Sequence, residues 1–180
     1  KTNKCTPYNP KQARQLVKSS GISNPTVNLM VPTGTVALRE AQFIQAEEAA
    51  VGIHMNVQST DFVTALDKAD AGTYDAFLIG WSGRVDPDGN IFGFVATTGT
   101  LNDSGYSKKS VDKFLNKARR AASTASRRAD YHSVVGQILK DRPLIYLDHP
   151  IANAGISKKV GGTKMYPDTL LRVAFAGYTK

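Results

Sequence analysis

The run Tyr74-Asp75-Ala76-Phe77-Leu78-Ile79-Gly80 decides the class of this chain, because nearly all of its side chains are apolar. A strand with one wet face alternates, whereas a continuous apolar run predicts a buried central strand covered on both faces. Just before it, Phe62, Ala65, Leu66 and Ala69 recur at helical spacing behind a Thr60-Asp61 cap and ahead of Gly72. Residues 53–58 read as another strand. Further back, Ala37, Ala41, Ile44 and Val51 mark one stripe of a helix that Glu47 and Glu48 interrupt and Gly52 ends. The loop Pro32-Thr33-Gly34 separates that helix from residues 26–31, where Val27, Leu29 and Val31 alternate as in a strand. Asn9-Pro10, a cap with proline at the first helical position, opens a short helix through Ala13, Leu16, Val17 and Ser20 to Gly21. Strands and helices alternating at such short intervals imply right-handed crossovers and a mostly parallel sheet. The expected fold class is α/β, a mostly parallel sheet flanked by helices.

Forward of the run, residues 81–106 form a long glycine-rich passage with few helical signals, and loops of that length are commonly functional. Val111, Phe114, Leu115 and Ala118 then predict a helix whose apolar side packs on the sheet. Tyr131, Val134, Val135 and Ile138 predict another behind a Thr124 cap. Pro143 introduces an expected last strand, residues 144–147, and beyond Pro150 the pattern weakens, as in a tail that leans on something outside these residues.

A chain of 180 residues with 41% hydrophobic and 21% charged residues has the composition of a folded domain, or of one lobe of a larger protein. Cys5, the only cysteine, rules out a disulfide scaffold. No apolar run approaches the ~20 residues of a membrane span. Residues 1–10 lack the apolar core of a signal peptide, so an export signal would lie outside this sequence. Lys and Arg number 23 against 15 Asp and Glu, a net +8 that favours anionic partners or simply a solvated basic surface.

The reactive motifs are incomplete. Gly80-Trp81-Ser82-Gly83 imitates a nucleophile elbow, but the second glycine and immediate helix that the motif needs are replaced by Arg84 and the turn sequence Val85-Asp86-Pro87-Asp88-Gly89. Asp148 and His149 are adjacent, which a catalytic relay does not allow. Asp86, Asp88 and Asn90 open like a calcium loop, yet the glutamate required twelve positions along is Thr97. His54, His132 and His149 have no metal-ligand spacing, and no phosphate-cradling glycine loop occurs. We therefore expect no catalytic residues, no metal and no cofactor. Residues 108–128 carry eight basic residues against Asp112 alone, with Lys113, Lys117 and Arg120 on one helical face. That stripe keeps a basic nucleic-acid-binding module as the alternative function. Against it stand the missing aromatic platform and the absence of a helix-turn-helix or zinc pattern, so no nucleic-acid partner is expected.

Taken in order, Tyr8-Asn9-Pro10-Lys11-Gln12-Ala13-Arg14-Gln15-Leu16, a strand, a helix ending Ala50-Val51-Gly52-Ile53, then Tyr74 to Trp81 with Asp86-Pro87-Asp88 beyond, resemble the bacterial extracellular solute-binding proteins of family 5. These are the peptide-, opine- and nickel-type receptors of ABC importers. The later half agrees in Gly105-Tyr106-Ser107 before Val111-Asp112, the helix start from Thr124, Tyr131-His132, and Pro143-Leu144-Ile145-Tyr146-Leu147 with His149 behind. The resemblance implies a C-terminal lobe, with residues 1–150 as the α/β ligand-binding lobe and residues 151–180 returning towards an N-terminal lobe. It also implies a periplasmic receptor that captures a peptide, or a peptide-like or opine-like solute, in an interlobe cleft and delivers it to an inner-membrane permease. Cys5 has no lipobox before it and does not read as a lipid anchor.

Ligands of open α/β sheets bind beyond the carboxyl ends of strands, which is where Trp81 follows the apolar run. The expected ligand-binding residues are Trp81 for its flat amphipathic face, Ser82 and Gly83 for backbone donors, Arg84 for its guanidinium fork, and Thr33 after the first strand. Trp81 as a core residue closing the sheet edge is the competing reading. Asp86-Pro87-Asp88-Gly89 is expected to be a structural turn. Peptide receptors of the family often place an acid where Arg84 stands, and Val31 and Thr33 offer no cation to a peptide carboxylate. This departure points to an anionic or sugar-bearing, opine-like ligand, unless Arg84 merely pairs with Asp86 or Asp88.

Overall fold

The computed structural model describes residues 6–166 and 168–179, so Cys5 lies outside the described residues. The chain divides into two compact units, the first ending at Gly80 and the second beginning at Trp81.

In the first unit the helix starts follow local chemistry. Helix α1, Pro10–Ser19, opens with the Asn9 side chain accepting a hydrogen bond from the Gln12 N–H. Helix α3, Phe62–Asp70, opens with Asp61 accepting from the N–H groups of Val63 and Thr64. Between them lie β1, Thr26–Pro32, α2, Thr35–Ala49, and β2, His54–Thr60, and β3, Ala76–Phe77, follows. The sheet is parallel in the order β2-β1-β3, with Thr26 opposite His54 and Leu29 opposite both Val57 and Ala76. Since β2 and β3 lie on opposite sides of β1, successive right-handed crossovers send α2 and α3 to opposite faces. Val27, Leu29 and Val31 accordingly meet Ala37, Ala41 and Ile44 of α2 on one face, and α3 packs on β1 with Ala65 and Ala69 buried.

This arrangement corrects one expectation. The central strand is β1, where Leu29, Met30 and Val31 are consecutively buried. The apolar run supplies only the two-residue β3, at the edge of the sheet among the described residues, and Ile79 is 47% exposed. Apolar continuity reports cover on both faces, but it cannot tell which strand has neighbours on both sides.

The second unit is built on α4, Asp88–Val95, α5, Lys109–Arg119, and α6, Thr124–Asp141. Val95, Val111, Leu115, Ala118, Tyr131, Val134 and Ile138 form its core. Helix α4 lies inside the passage expected to be loop. Its glycines Gly89 and Gly93 hide the helical pattern. The apolar side of α5 packs on α6 and α4, and the cap of α6 is Ser123, whose hydroxyl accepts from the Ser126 N–H, not Thr124. The expected strand at residues 144–147 does not form, and Ile145 is 80% exposed. A β-favouring stretch becomes a strand only beside a partner, and none pairs with it among the described residues. The tail forms two short antiparallel ladders, β4, Val160–Gly161, with β7, Gly177–Tyr178, and β5, Lys164–Met165, with β6, Leu171–Arg172.

Candidate functional site

The segment from Trp81 into α4 is held by its own side chains. Asp86 accepts from the Asp88 N–H at 2.8 Å, and the Gly89 N–H reaches the Asp86 carbonyl at 3.2 Å, so Asp86 and Pro87 form a turn that leads into α4. This is the structural turn expected of these residues. Asn90, in the first turn of the helix, faces back into the loop. Its Oδ1 accepts from Trp81 Nε1 at 3.2 Å and from the Arg84 N–H at 2.6 Å, while its Nδ2 donates to the carbonyls of Arg84 at 2.7 Å and Asp86 at 2.9 Å. Both lone pairs and both hydrogens of one amide are thus spent on fixing residues 81–86.

Two glycines make this path possible. Gly83 has φ +74°, a left-handed conformation that costs an L side chain about 1–2 kcal/mol. Gly89 lets the Arg84 stem cross the first turn of α4, where a Cβ would sit 3.0 Å from Arg84 Cβ. The Arg84 guanidinium then folds back, with Nη1 donating to Ser82 Oγ at 3.1 Å and to the Gly83 carbonyl at 2.7 Å. Its Cζ lies 4.4 Å from the Trp81 ring centroid. Trp81 is itself 44% exposed and meets Phe94 edge-on at 5.0 Å, so it is no core tryptophan. The N–H groups of Ser82 and Gly83 have no acceptor among the described residues.

The acids of the loop are occupied. Arg127 grips Asp86 with two hydrogen bonds of 2.8 and 2.6 Å, and Arg119 grips Asp88 with two of 2.8 Å. The Tyr131 hydroxyl donates to Asp88 at 3.3 Å. Arg84 therefore pairs with neither Asp86 nor Asp88, against the competing expectation. The same contacts account for much of the basic stripe, because Lys108, Lys117, Arg119 and Arg127 are each paired with a carboxylate. A surface that gripped phosphates would need those cations free.

Trp81, Ser82, Gly83 and Arg84 thus come together in one loop of the second unit. Thr33 belongs to the first unit, where its N–H and hydroxyl both donate to the Thr60 carbonyl at 2.9 and 3.2 Å and extend the β1–β2 ladder. Sequence reasoning missed Asn90, Arg119 and Arg127 as the residues that shape the loop. Asp86-Pro87, a turn-forming pair, is the available signal for the start of α4. No group of three or more His, Cys, Asp or Glu able to hold a metal occurs among the described residues. None of the described helices is long and apolar enough to cross a membrane.

These ion pairs set an acid limit. The Arg127 fork, helped by the Asp88 N–H, holds the Asp86 carboxyl down at about 2. Lys108, with the Tyr106 hydroxyl and Gln137, does the same to Asp141, also to about 2. A carboxyl whose pKa is depressed by folding stabilises the fold above its ordinary value, here 3.8, and the benefit disappears as pH falls towards 2. An acid titration followed by far-ultraviolet circular dichroism should therefore lose helicity between about pH 4 and pH 2. The double variant Asp86→Asn, Asp141→Asn should flatten that dependence, and a wild-type chain equally stable across the window would contradict the pairing.

Known structures share this architecture. The chain superposes on the oligopeptide-binding protein AppA of Bacillus subtilis with a TM-score of 0.81 and 18% identity, over 96% of this chain and 38% of that one. It matches the periplasmic binding protein DppA of Helicobacter pylori, solved in complex with the peptide STSA, with a TM-score of 0.69 and 27% identity, over 76% of this chain and 28% of that one. The fold is that of a periplasmic binding protein. The family model for bacterial extracellular solute-binding proteins, family 5 Middle, matches residues 1–103, more than half of the chain. A dipeptide-binding protein of Pseudomonas aeruginosa is 30% identical over 98% of this chain and 34% of its own length. The chain belongs to the bacterial extracellular solute-binding proteins of family 5. It spans about a third of the length of the curated relatives it matches.

Proposed function

We propose that the chain is the C-terminal lobe of an ABC importer's substrate-binding protein, one that captures a peptide or a peptide-like or opine-like solute and passes it to an inner-membrane permease. Family membership, together with the pre-set loop of Trp81 and Arg84, carries this reading. Capture needs shape and hydrogen-bond donors but no covalent step, so the reading assigns no catalytic turnover. The ligand would meet Trp81, Ser82, Gly83 and Arg84. Residues 1–150 would form the ligand-binding lobe and residues 151–180 the return segment towards an N-terminal lobe. Apolar side chains in search of cover support that last assignment: Ile151 is 85% exposed, Phe175 89% and Tyr178 89%. Periplasmic residence follows from the same role. The name of one relative fits it directly, a peptide transport periplasmic protein of Salmonella typhimurium that is 26% identical.

The test uses the longer receptor that contains this chain. Native mass spectrometry of the purified receptor should release a small solute on denaturation, and calorimetry with that solute should give a dissociation constant of about a micromolar or tighter. Failure to bind any solute, accompanied by nucleic-acid affinity that falls steeply with salt, would replace the reading with the basic-module alternative.

A further inference from the structure

Resting on the solute-binding reading above, we infer that the Trp81 loop selects its ligand by an anionic group, received on the free edge of the Arg84 guanidinium. A guanidinium carries five N–H hydrogens. The two on Nη1 go to Ser82 Oγ and the Gly83 carbonyl, and Trp81 covers one face. Nε and Nη2 have no acceptor among the described residues, and together they form the fork that fits a carboxylate or phosphate in two parallel hydrogen bonds. Arg84 is exposed, yet its position is fixed at both ends. Asn90 clamps its backbone N–H and carbonyl, and the tip is tied to Ser82 and Gly83. Little side-chain freedom remains to be lost when a ligand arrives.

The loop has no counterweight to offer a cation. Asp86 and Asp88 are both engaged bidentately, by Arg127 and Arg119, so an ammonium group arriving here would find no free carboxylate. The N–H groups of Ser82 and Gly83 add donors beside the guanidinium, not acceptors. Val85, next in the chain and 95% exposed, lines a groove of about 830 Å³ with Lys164, Tyr166, Asp168, Arg172 and Phe175. Within that groove Asp168 is held by Arg172, whereas Lys164 lies 5.1 Å over the Tyr166 ring with no carboxylate partner among the described residues. The surplus charge along the loop and the groove is positive, and the apolar walls of the groove suit the uncharged part of a solute.

Calorimetry on the full-length receptor with four probes separates the outcomes. They are tri-alanine, tri-alanine C-terminal amide, N-acetyl-tri-alanine, and the amide of Ala-phosphoserine-Ala. Wild type should bind tri-alanine roughly ten- to hundredfold more tightly than its amide, as expected for loss of a charge-assisted hydrogen-bond pair, and acetylating the amine should change little. Arg84→Gln should erase the acid-over-amide preference without moving the thermal midpoint. Arg84→Lys, which keeps the charge but not the fork, should retain part of it, and it serves as the readable variant if the glutamine form folds poorly. Recovery of affinity only with the phosphoserine amide would keep the anion rule and assign it to phosphate. Equal binding of acid and amide by wild type, or a preference that survives Arg84→Gln, overturns the inference while solute binding stands. Binding of none of the probes, with no co-purifying solute, overturns the solute-binding reading and this inference with it.

Discussion

Leu115→Ala is expected to lower the unfolding free energy of the second unit by about 2–5 kcal/mol, the range for emptying a well-packed leucine site. Leu115 has no exposed surface and is the largest fully buried side chain of the chain's described residues. It sits on α5 among Val95, Val111, Ala118, Val134 and Ile138, where three helices converge. Truncation removes the transfer energy of its terminal carbons and leaves a cavity that neighbours on three rigid elements cannot close. The functional consequence follows from the ion pairs. Arg119 on α5 and Arg127 on α6 hold Asp88 and Asp86, so loosening that helix contact releases the base of the Trp81 loop. Urea unfolding monitored by circular dichroism should show a lower midpoint with an unchanged slope, and Leu115→Met should cost under about 1.5 kcal/mol. A loss below about 1 kcal/mol for the alanine variant would mean that the core is not close-packed around this residue.

Gly99→Ala should destabilise the same unit by about 1–3 kcal/mol or more, through overpacking against backbone. A Cβ at this position would lie 2.2 Å from the Gly93 carbonyl oxygen and 2.8 Å from that of Phe92. Neither is the mobile end of a side chain. The Gly93 carbonyl also accepts the Leu101 N–H at 2.9 Å, and the Gly99 N–H itself binds the Ala96 carbonyl at 2.8 Å, so the chain cannot retreat without breaking the turn that ends α4. Gly155→Ala is the matched control, since a Cβ there meets nothing within 4 Å. That variant should stay within about 0.5 kcal/mol of wild type, and equal behaviour of the two alanine variants in thermal melts would refute the close approach.

Elements whose start is written in adjacent residues are legible in the sequence. Asn9 caps α1 through Gln12, and Asp61 caps α3 through Val63 and Thr64, contacts that span two or three residues. The stripe Ala37, Ala41 and Ile44 identifies the face of α2 that meets β1. The ligand-facing role expected of residues 81–84 rests on their position after a strand, and the Asn90 clamp is what joins those residues into one unit. Helix α4 is illegible because Gly89 and Gly93 weaken its pattern, although both serve the packing: Gly89 admits the Arg84 stem and Gly93 lies against Leu101.

Short-range spacing and ordered motifs suffice for the α/β class, the parallel order of strand and helix in the first unit, the caps of α1 and α3, and the family. Long-range packing alone makes β1, and not the apolar run, the central strand, leaves residues 144–147 unpaired with any strand among the described residues, and selects which cation neutralises which acid. Arg119 reaches Asp88 across 31 positions and Arg127 reaches Asp86 across 41, while Arg84, only two residues from Asp86, pairs with neither acid. Proximity in sequence favours an ion pair only when the backbone aims the two side chains together. Here the turn at Gly83 and the clamp of Asn90 aim Arg84 at Trp81, and the packing of α5 and α6 brings distant arginines to the acids instead.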